Sequence, residues 1–523
     1  MKTGCFGLGL LLLIAAGSLV LRLQQLQVRP MHADEAVQAA RFRDLWYEGR
    51  YVYDPQEYHG PTLTYCTLPA VWALRPRDFA ETTEVTYRLV PVIFGVGLVL
   101  LLLGLTDALG ASGVLAAGLL TAVSPAMVFY SRYYIHETLL VFFTMAAMVA
   151  GWRYYRTGRL AWSLAAGACL GMMQATKETS VLVFACLAVA TLLALGWTRW
   201  LRDDEDSCGA ARYWWHGVAG ASVGVLIAAI WLTSFLQHPR GLLDGVLTYW
   251  PWLGRAGGQS PHVHPWYFYL QRLLYWRLAN GPRWSEAVIL LLASGGWLAA
   301  LRPQRPTDHQ EVAALFARWL GFFTLGLVLV YSAIPYKTPW CLLGFLHGAI
   351  LLAGYGVHRL LRGLSTVPLR VLALLGLSVA VVHLGRQAWR ASVLMPADPR
   401  NPYVYSQTLP DMRRLSEDLE QLSHAAPAAM DVTVKVFWPD GYYWPLPWYL
   451  RRMDRVGYWV GLPPDLSAPL VIASPEYDQP LTQQLDATHL MTGYYALRPN
   501  LLAQLWVRMD LWEAHLRRLG RIP

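Results

Sequence analysis

Residues 4–35 read GCFGLGLLLLIAAGSLVLRLQQLQVRPMHADE: a long apolar run, then an Asp-Glu pair a few residues beyond its end. A helix of about 18–22 apolar residues is what is needed to cross roughly 30 Å of hydrocarbon. Residues Gly4 to Leu21 also have the length of a secretory core segment, but Lys2 is the only basic residue ahead of them, so an uncleaved first span is expected. Runs of the same kind recur near 88–106, 112–130, 138–155, 160–175, 179–197, 216–236, 285–301, 314–334, 341–361 and 368–388. The pattern therefore predicts an α-helical polytopic membrane protein with about eleven transmembrane helices.

Composition agrees with that reading. Charged residues are 15% of the 523-residue chain and hydrophobic ones 55%, where soluble domains carry about 25% charged residues. The formal net charge of +9 comes mainly from arginines at the ends of apolar runs, the way membrane helices are anchored. It forms no basic stripe of the kind that meets nucleic acid. Six cysteines (Cys5, Cys66, Cys169, Cys186, Cys208 and Cys341) are widely spaced without a CxxC pair, so neither a disulfide framework nor a zinc knuckle is indicated. Only four lysines occur, Lys2, Lys177, Lys337 and Lys435, and two of them flank apolar runs.

Lys and Arg in the short loops set the orientation. With the N-terminus inside, the inner loops carry Arg153, Arg156 and Arg159; Arg199, Arg202 and Arg212; Arg302 and Arg305; and Arg359, Arg362 and Arg370. The short outer loops carry one basic residue each, Arg132, Lys177 and Lys337. Long outer loops are then expected at 22–87 and 237–284, completing a membrane module over 1–388. A C-terminal α/β domain is expected outside over 389–523, because that segment mixes short apolar runs such as Val432–Phe437 with amphipathic stretches such as Met412–Leu422. Within it WPDGYYWPLPWY (438–449) has two readings, an interfacial aromatic belt or a sugar-stacking surface.

The same topology sends the mixed acid–base groups to one face. Asp34 and Glu35 follow the first run, with Glu57 and His59 later in the same loop. Arg132, His136 and Glu137 join two runs, Lys177 and Glu178 join two others, and Tyr336 with Lys337 joins two more. Ionisable groups at membrane depth cost roughly 2.5–3.5 kcal/mol each, so they usually pair or work. Short loops are also simply where polar residues collect, and Asp34-Glu35 also suits the first turn of an interfacial helix. A set mixing cations with carboxylates is nevertheless what transfer from a phosphate-linked donor requires: cations to hold the phosphate and a carboxylate to take an acceptor's proton.

The stretch MHADEAVQAARFRDLWYEGRYVYDPQEYHGPTLTY (31–65) resembles the first outer loop of GT-C membrane glycosyltransferases, especially protein O-mannosyltransferases and the aminoarabinose transferases of lipid A. SRYYIHET (131–138), ATKETS (175–180), IPYKTPW (334–340), NPYVYSQT (401–408) and YWPLPWYLRR (443–452) look like the related flippase activity-associated proteins. Together these motifs cover most of the chain. The resemblance implies a polyprenyl-phosphate-sugar-dependent, mannosyltransferase-like enzyme of the cell (inner) membrane, acting on its extracytoplasmic face. It would transfer a hexose with inversion to an acceptor hydroxyl on protein, lipid or glycan. It implies Asp34 as general base, with Glu35 orienting base or acceptor, and Glu57 as a substrate contact. Arg132 and Lys337 resemble the phosphate-binding basic residues, and Lys177 belongs with them; His59, His136, Glu137, Glu178 and Tyr336 complete the expected substrate-binding set. The family pattern departs at Tyr58-His59-Gly60-Pro61, where aminoarabinose transferases place Lys and mannosyltransferases His-Pro-Pro, leaving the sugar open.

Other readings compete. The family's name implies a component of lipid-linked sugar translocation without transfer chemistry, which needs phosphate-binding cations but no base; a receptor built on the C-terminal domain is a further class. No cofactor is specified. A divalent metal remains open because His32, His59, His136 and the His262–His264 pair share the outer face with acids, although no HxxxH spacing supports it.

Overall fold

The computed structural model describes residues 2–56, 59–202, 213–258, 262–303, 308–426 and 429–523. They form two compact units. One takes Met1–Leu26, Glu48–Ala70 and Arg88–Tyr405; the other takes Gln27–Tyr47, Val71–Tyr87 and Ser406–Pro523.

The first unit is the helical membrane module. The apolar runs are largely helical. Six helices among the described residues are long and apolar enough to cross a membrane: Glu84–Leu109, Ser180–Leu201, Trp214–Leu232, Glu311–Ala333, Pro339–Gly363 and Val367–Leu394. Shorter apolar helices cover Gly7–Leu23, Ala111–Val123, Leu160–Gln174 and Ala287–Leu301, and Thr62–Leu74 adds one inside the loop expected at 22–87. The protein is an integral multi-pass membrane protein. The run expected as one span over 112–130 is broken at Ser124, whose φ of −56° and ψ of 123° is extended. Pro125 disfavours a helical residue before it, and the Ser124 hydroxyl caps the next short helix, Pro125–Tyr130.

Small residues set the closest helix approach. A Cβ on Gly167 would lie 1.8 Å from the Gly220 carbonyl oxygen, and one on Gly171 would lie 2.4 Å from that of Gly224. The helices Leu160–Gln174 and Trp214–Leu232 thus pack backbone to backbone, through the spacing that small residues use between membrane helices. Gly167→Leu is expected to force them apart at the roughly 1–3 kcal/mol typical of overpacking. Thermal challenge followed by size-exclusion chromatography should show an earlier loss of the folded peak. Gly217→Ala, on the second of these helices, adds a Cβ with nothing within 4 Å and should behave as wild type.

The second unit is built on a five-stranded sheet: β1 (Thr433–Phe437), β2 (Arg455–Trp459), β3 (Leu470–Ala473), β4 (His489–Arg498) and β5 (Leu501–Arg508). Their order is β2-β1-β3-β5-β4. The first three strands are parallel, and β5 joins β3 and β4 antiparallel. The helix Asp411–Ser423 buries Met412, Leu415, Leu419 and Leu422, an apolar stripe at helical spacing. Two pieces from the N-terminal third belong to the same unit. Phe42, on the helix Ala33–Glu48, meets Tyr87 edge-on at 5.9 Å, and Tyr87 meets Trp448 at 5.4 Å. The Tyr449 hydroxyl accepts the Met31 N–H at 3.0 Å, and Arg451 lies 3.8 Å over the Trp448 ring. Trp438, Trp448 and Tyr449 are buried. Trp448 and Tyr449 serve as core under the early segments, while Tyr442 of the same stretch stays exposed.

Candidate functional site

Two connections of the first unit form a short ribbon. Pro335 follows the end of the helix Asp308–Ala333, and Pro339 opens the next helical turn, so Tyr336–Thr338 run extended between them. Val263 bridges Tyr336 antiparallel. The Lys337 N–H donates to His262 O at 2.9 Å and the His264 N–H to Pro335 O at 3.1 Å. Across the ribbon both imidazoles reach one phenol: His262 Nδ1 lies 2.7 Å and His264 Nε2 2.9 Å from the Tyr405 hydroxyl. That hydroxyl carries a single hydrogen, so at least one imidazole donates to it, which ties the tautomers together.

The Lys337 ammonium is buried and donates to the carbonyls of His264, at 3.2 Å, and Ile334. Among the described residues no carboxylate lies within ion-pair distance of it. Arg272, also buried, packs 3.5 Å over Phe268 and 4.7 Å over Trp276, and donates to the Pro402 carbonyl at 3.1 Å. Burial pushes Lys337 below the usual lysine range and Arg272 down to about 10. His264 is pushed down to about 4, first by burial and then by the positive charges of Arg272, His262 and Lys337. The region is a cation cluster set among aromatic rings.

A second cluster in the same unit pairs its lysine with a carboxylate. Lys177 and Glu178 turn the chain between the helices Leu160–Gln174 and Ser180–Arg202. The Lys177 ammonium pairs with Glu137, the first residue of the helix Glu137–Thr157, while His59 Nδ1 lies 2.9 Å from Glu178. Burial alone would push Lys177 down, but the Glu137 carboxylate holds it above the usual lysine range. Burial would push Glu178 up, yet His59 and Lys177 hold it below the ordinary carboxyl range. His59 stacks on Trp252 at 5.4 Å and meets His136 edge-on at 5.0 Å. His136 Nε2 lies 3.0 Å from the Gly60 carbonyl oxygen, and its buried Nδ1 has no partner among the described residues. Burial, then His59 and Lys177, push His136 well below its usual value.

Gly60 explains why His59 reaches this place. A Cβ there would sit 2.1 Å from the Ala175 carbonyl oxygen, which also accepts the Thr62 hydroxyl at 2.8 Å. The His-Gly-Pro stretch therefore docks directly on the ATKETS turn. Because the Glu178 carboxyl is depressed in the folded protein, the stability it adds is full above its unfolded value near about 4.3 and is lost as pH falls through the lower folded value. The melting temperatures of wild type and Glu178→Gln should accordingly differ most at neutral pH and converge on acidification.

Other expected residues serve different ends. The Arg132 guanidinium donates to the carbonyls of Ser392 at 2.7 Å and Gln24 at 2.5 Å; it ties helix ends together. Glu35 is fully buried. It accepts from Arg29 at 2.8 Å and from the His32 N–H at 3.0 Å, the carboxylate half of a capping box for the helix Ala33–Glu48. Asp34 beside it keeps a carboxylate 51% exposed. Glu57 lies outside the described residues. Among those residues no three His, Cys, Asp or Glu side chains come together as a set of cation ligands.

Arg272, Trp252 and Tyr405 were not expected, and neither was Glu286. Its buried carboxylate accepts from Ser124 Oγ at 2.5 Å, the Ala126 N–H at 3.1 Å and the Tyr403 hydroxyl at 2.6 Å. The only trace of Glu286 in the sequence is a lone acid at the mouth of an apolar run.

Comparison with known proteins bears on this geometry. Residues 71–238 match the family model for dolichyl-phosphate-mannose-protein mannosyltransferase. No curated protein matches. The fold resembles that of ArnT from Cupriavidus metallidurans bound to undecaprenyl phosphate, with a TM-score of 0.61 and 15% identity over 95% of this chain and 98% of that one. Its apo state gives a TM-score of 0.64 at 13% identity over the same shares. The archaeal oligosaccharyltransferase AglB from Archaeoglobus fulgidus, in complex with an inhibitory peptide and a dolichol-phosphate, gives 0.55 at 12% identity over 90% of this chain and 70% of that one. The chain has the fold of the GT-C membrane glycosyltransferases.

Proposed function

We propose that this protein transfers a hexose from a polyprenyl-phosphate-linked donor to an acceptor hydroxyl, with inversion, on the extracytoplasmic face of the cell membrane. The observation that carries the reading is the pair of buried cations Lys337 and Arg272 beside the His262–His264 pair, with no carboxylate within ion-pair distance of Lys337 among the described residues. A phosphate is one partner that would match a buried positive charge of this kind. A neighbour of the same fold holds undecaprenyl phosphate, which supports a lipid-linked anion as the partner.

In the reaction the acceptor oxygen forms a bond to the anomeric carbon as its proton passes to a carboxylate. The bond from that carbon to the phosphate oxygen breaks, and its electron pair leaves with the polyprenyl phosphate. A single displacement inverts the centre. Asp34 is assigned the proton on the resemblance of its loop and on its accessible carboxylate. Lys337 is assigned the developing phosphate charge, the place where electrostatic stabilisation acts. Lys177, held by Glu137, is a positioning residue in this scheme, since its charge is already matched.

The test reconstitutes the purified chain in vesicles with radiolabelled mannosyl polyprenyl phosphate and a membrane extract as acceptor source. New glycosidic product, with its anomeric configuration opposite to the donor's, is the expected result. Redistribution of the label between leaflets without bond formation would overturn the proposal in favour of translocation.

A further inference from the structure

The helix Glu137–Thr157 begins at the Lys177–Glu137 pair and rises about 1.5 Å per residue. A cavity of about 350 Å³ opens along its other half, from Ala147 to Tyr155, so it lies roughly 15–27 Å from that pair along the helix. Small residues (Ala147, Gly151, Ala166 and Ala194) make the room, and Trp152 and Trp319 are among the aromatic walls. Lined almost wholly by apolar groups and bounded by helices of the membrane module, the cavity suits a hydrocarbon chain.

Two arginines outside the lining stand past its far end, behind Trp152. Arg156 sits 6.0 Å over the Trp152 ring. Arg156 and Arg153 share one carboxylate, Asp107, at 3.3 and 3.7 Å, which leaves one positive charge in excess. Both guanidinium groups remain about one-third exposed. Basic residues at the mouth of a cleft between membrane helices are a recurrent setting for anionic lipid headgroups.

We infer that this cavity holds an acyl chain of an anionic glycerophospholipid, with its headgroup phosphate on Arg153 and Arg156, at the end of the helices remote from the Lys177–Glu137 pair. The site is separate from the donor chemistry and stands whether or not the transferase reading does. An acyl chain here would fill the gap that the small residues leave between the helices Glu137–Thr157, Leu160–Gln174, Ser180–Arg202 and Asp308–Ala333, and so would stabilise the bundle.

The test uses native mass spectrometry of the delipidated full chain titrated with phosphatidylglycerol, phosphatidylcholine or undecaprenyl phosphate. Half-saturation by phosphatidylglycerol is expected at a concentration at least tenfold below that for phosphatidylcholine. Arg153→Gln with Arg156→Gln should abolish that preference. A Cβ at Gly151 has nothing within 4 Å, so Gly151→Leu should enter the cavity without touching backbone and remove the adduct; Ala166→Leu is the second filling variant should the first misfold. Equal retention of the two phospholipids would overturn the inference, as would an adduct that survives a folded filling variant. One-for-one displacement of phosphatidylglycerol by undecaprenyl phosphate would also overturn it, by making the cavity part of the donor site.

Discussion

Asp34→Asn is expected to lower glycosyl transfer by roughly 10²–10⁴-fold, the usual contribution of a general base, while leaving donor binding and thermal stability close to wild type. The substitution keeps size and hydrogen-bonding shape but cannot accept the acceptor's proton. Asp34 is suited to that part because its carboxylate is half exposed in the first turn of the helix Ala33–Glu48. Its neighbour gives the contrast. Glu35 is buried against Arg29 and the His32 N–H, so Glu35→Gln should lower the melting temperature first and activity only as folded protein is lost. Turnover and thermal unfolding measured on both variants separate the two roles, and full transfer activity in Asp34→Asn would sink the assignment.

Lys337→Met carries the second large effect, and it falls on binding. A charge-assisted hydrogen bond to a phosphate contributes about 1.5–3 kcal/mol, so the variant should bind polyprenyl phosphate roughly 10–150-fold more weakly. The methionine retains the buried apolar stem and removes the charge. Because burial lowers the Lys337 pKa, the ammonium is lost at a lower pH than in an ordinary lysine. Wild-type affinity should therefore fall as pH rises through that lowered value, and the variant's should not follow it. Titration of tryptophan fluorescence with polyprenyl phosphate across alkaline pH reads both effects. Unchanged affinity in the variant would remove Lys337 from the phosphate.

The apolar runs made the membrane module legible, because hydrocarbon thickness imposes one length on every crossing. The break at Ser124–Pro125 was legible in principle, since proline constrains the residue before it. Lys337 stood out because lysine is scarce in this chain. Its companions did not: Arg272, Trp252 and Tyr405 lie in other segments, and only the ribbon of 262–264 with 335–337 brings the two histidines to Tyr405. Arg132 shows the opposite difficulty. Its position resembled a phosphate ligand, yet its donors meet the carbonyls that helix ends leave open, and no one-dimensional pattern records where those carbonyls lie. In WPDGYYWPLPWY the composition spoke of surface, whereas Trp448 and Tyr449 are covered by residues some 360–420 positions earlier.

That last feature has a consequence in time. The segments Gln27–Tyr47 and Val71–Tyr87 leave the ribosome long before Ser406–Pro523, the remainder of the unit to which they belong. At roughly 5–20 residues per second, the first of them waits on the order of 20–70 s for its partners to be synthesised. Through that interval Phe42 and Tyr87 have no Trp448 to cover them, and the newborn chain must insert its membrane helices with these rings still bare. A ribosome stall or a premature stop ahead of residue 406 would thus leave sticky early segments that nothing later in the chain can bury, a natural handle for quality control.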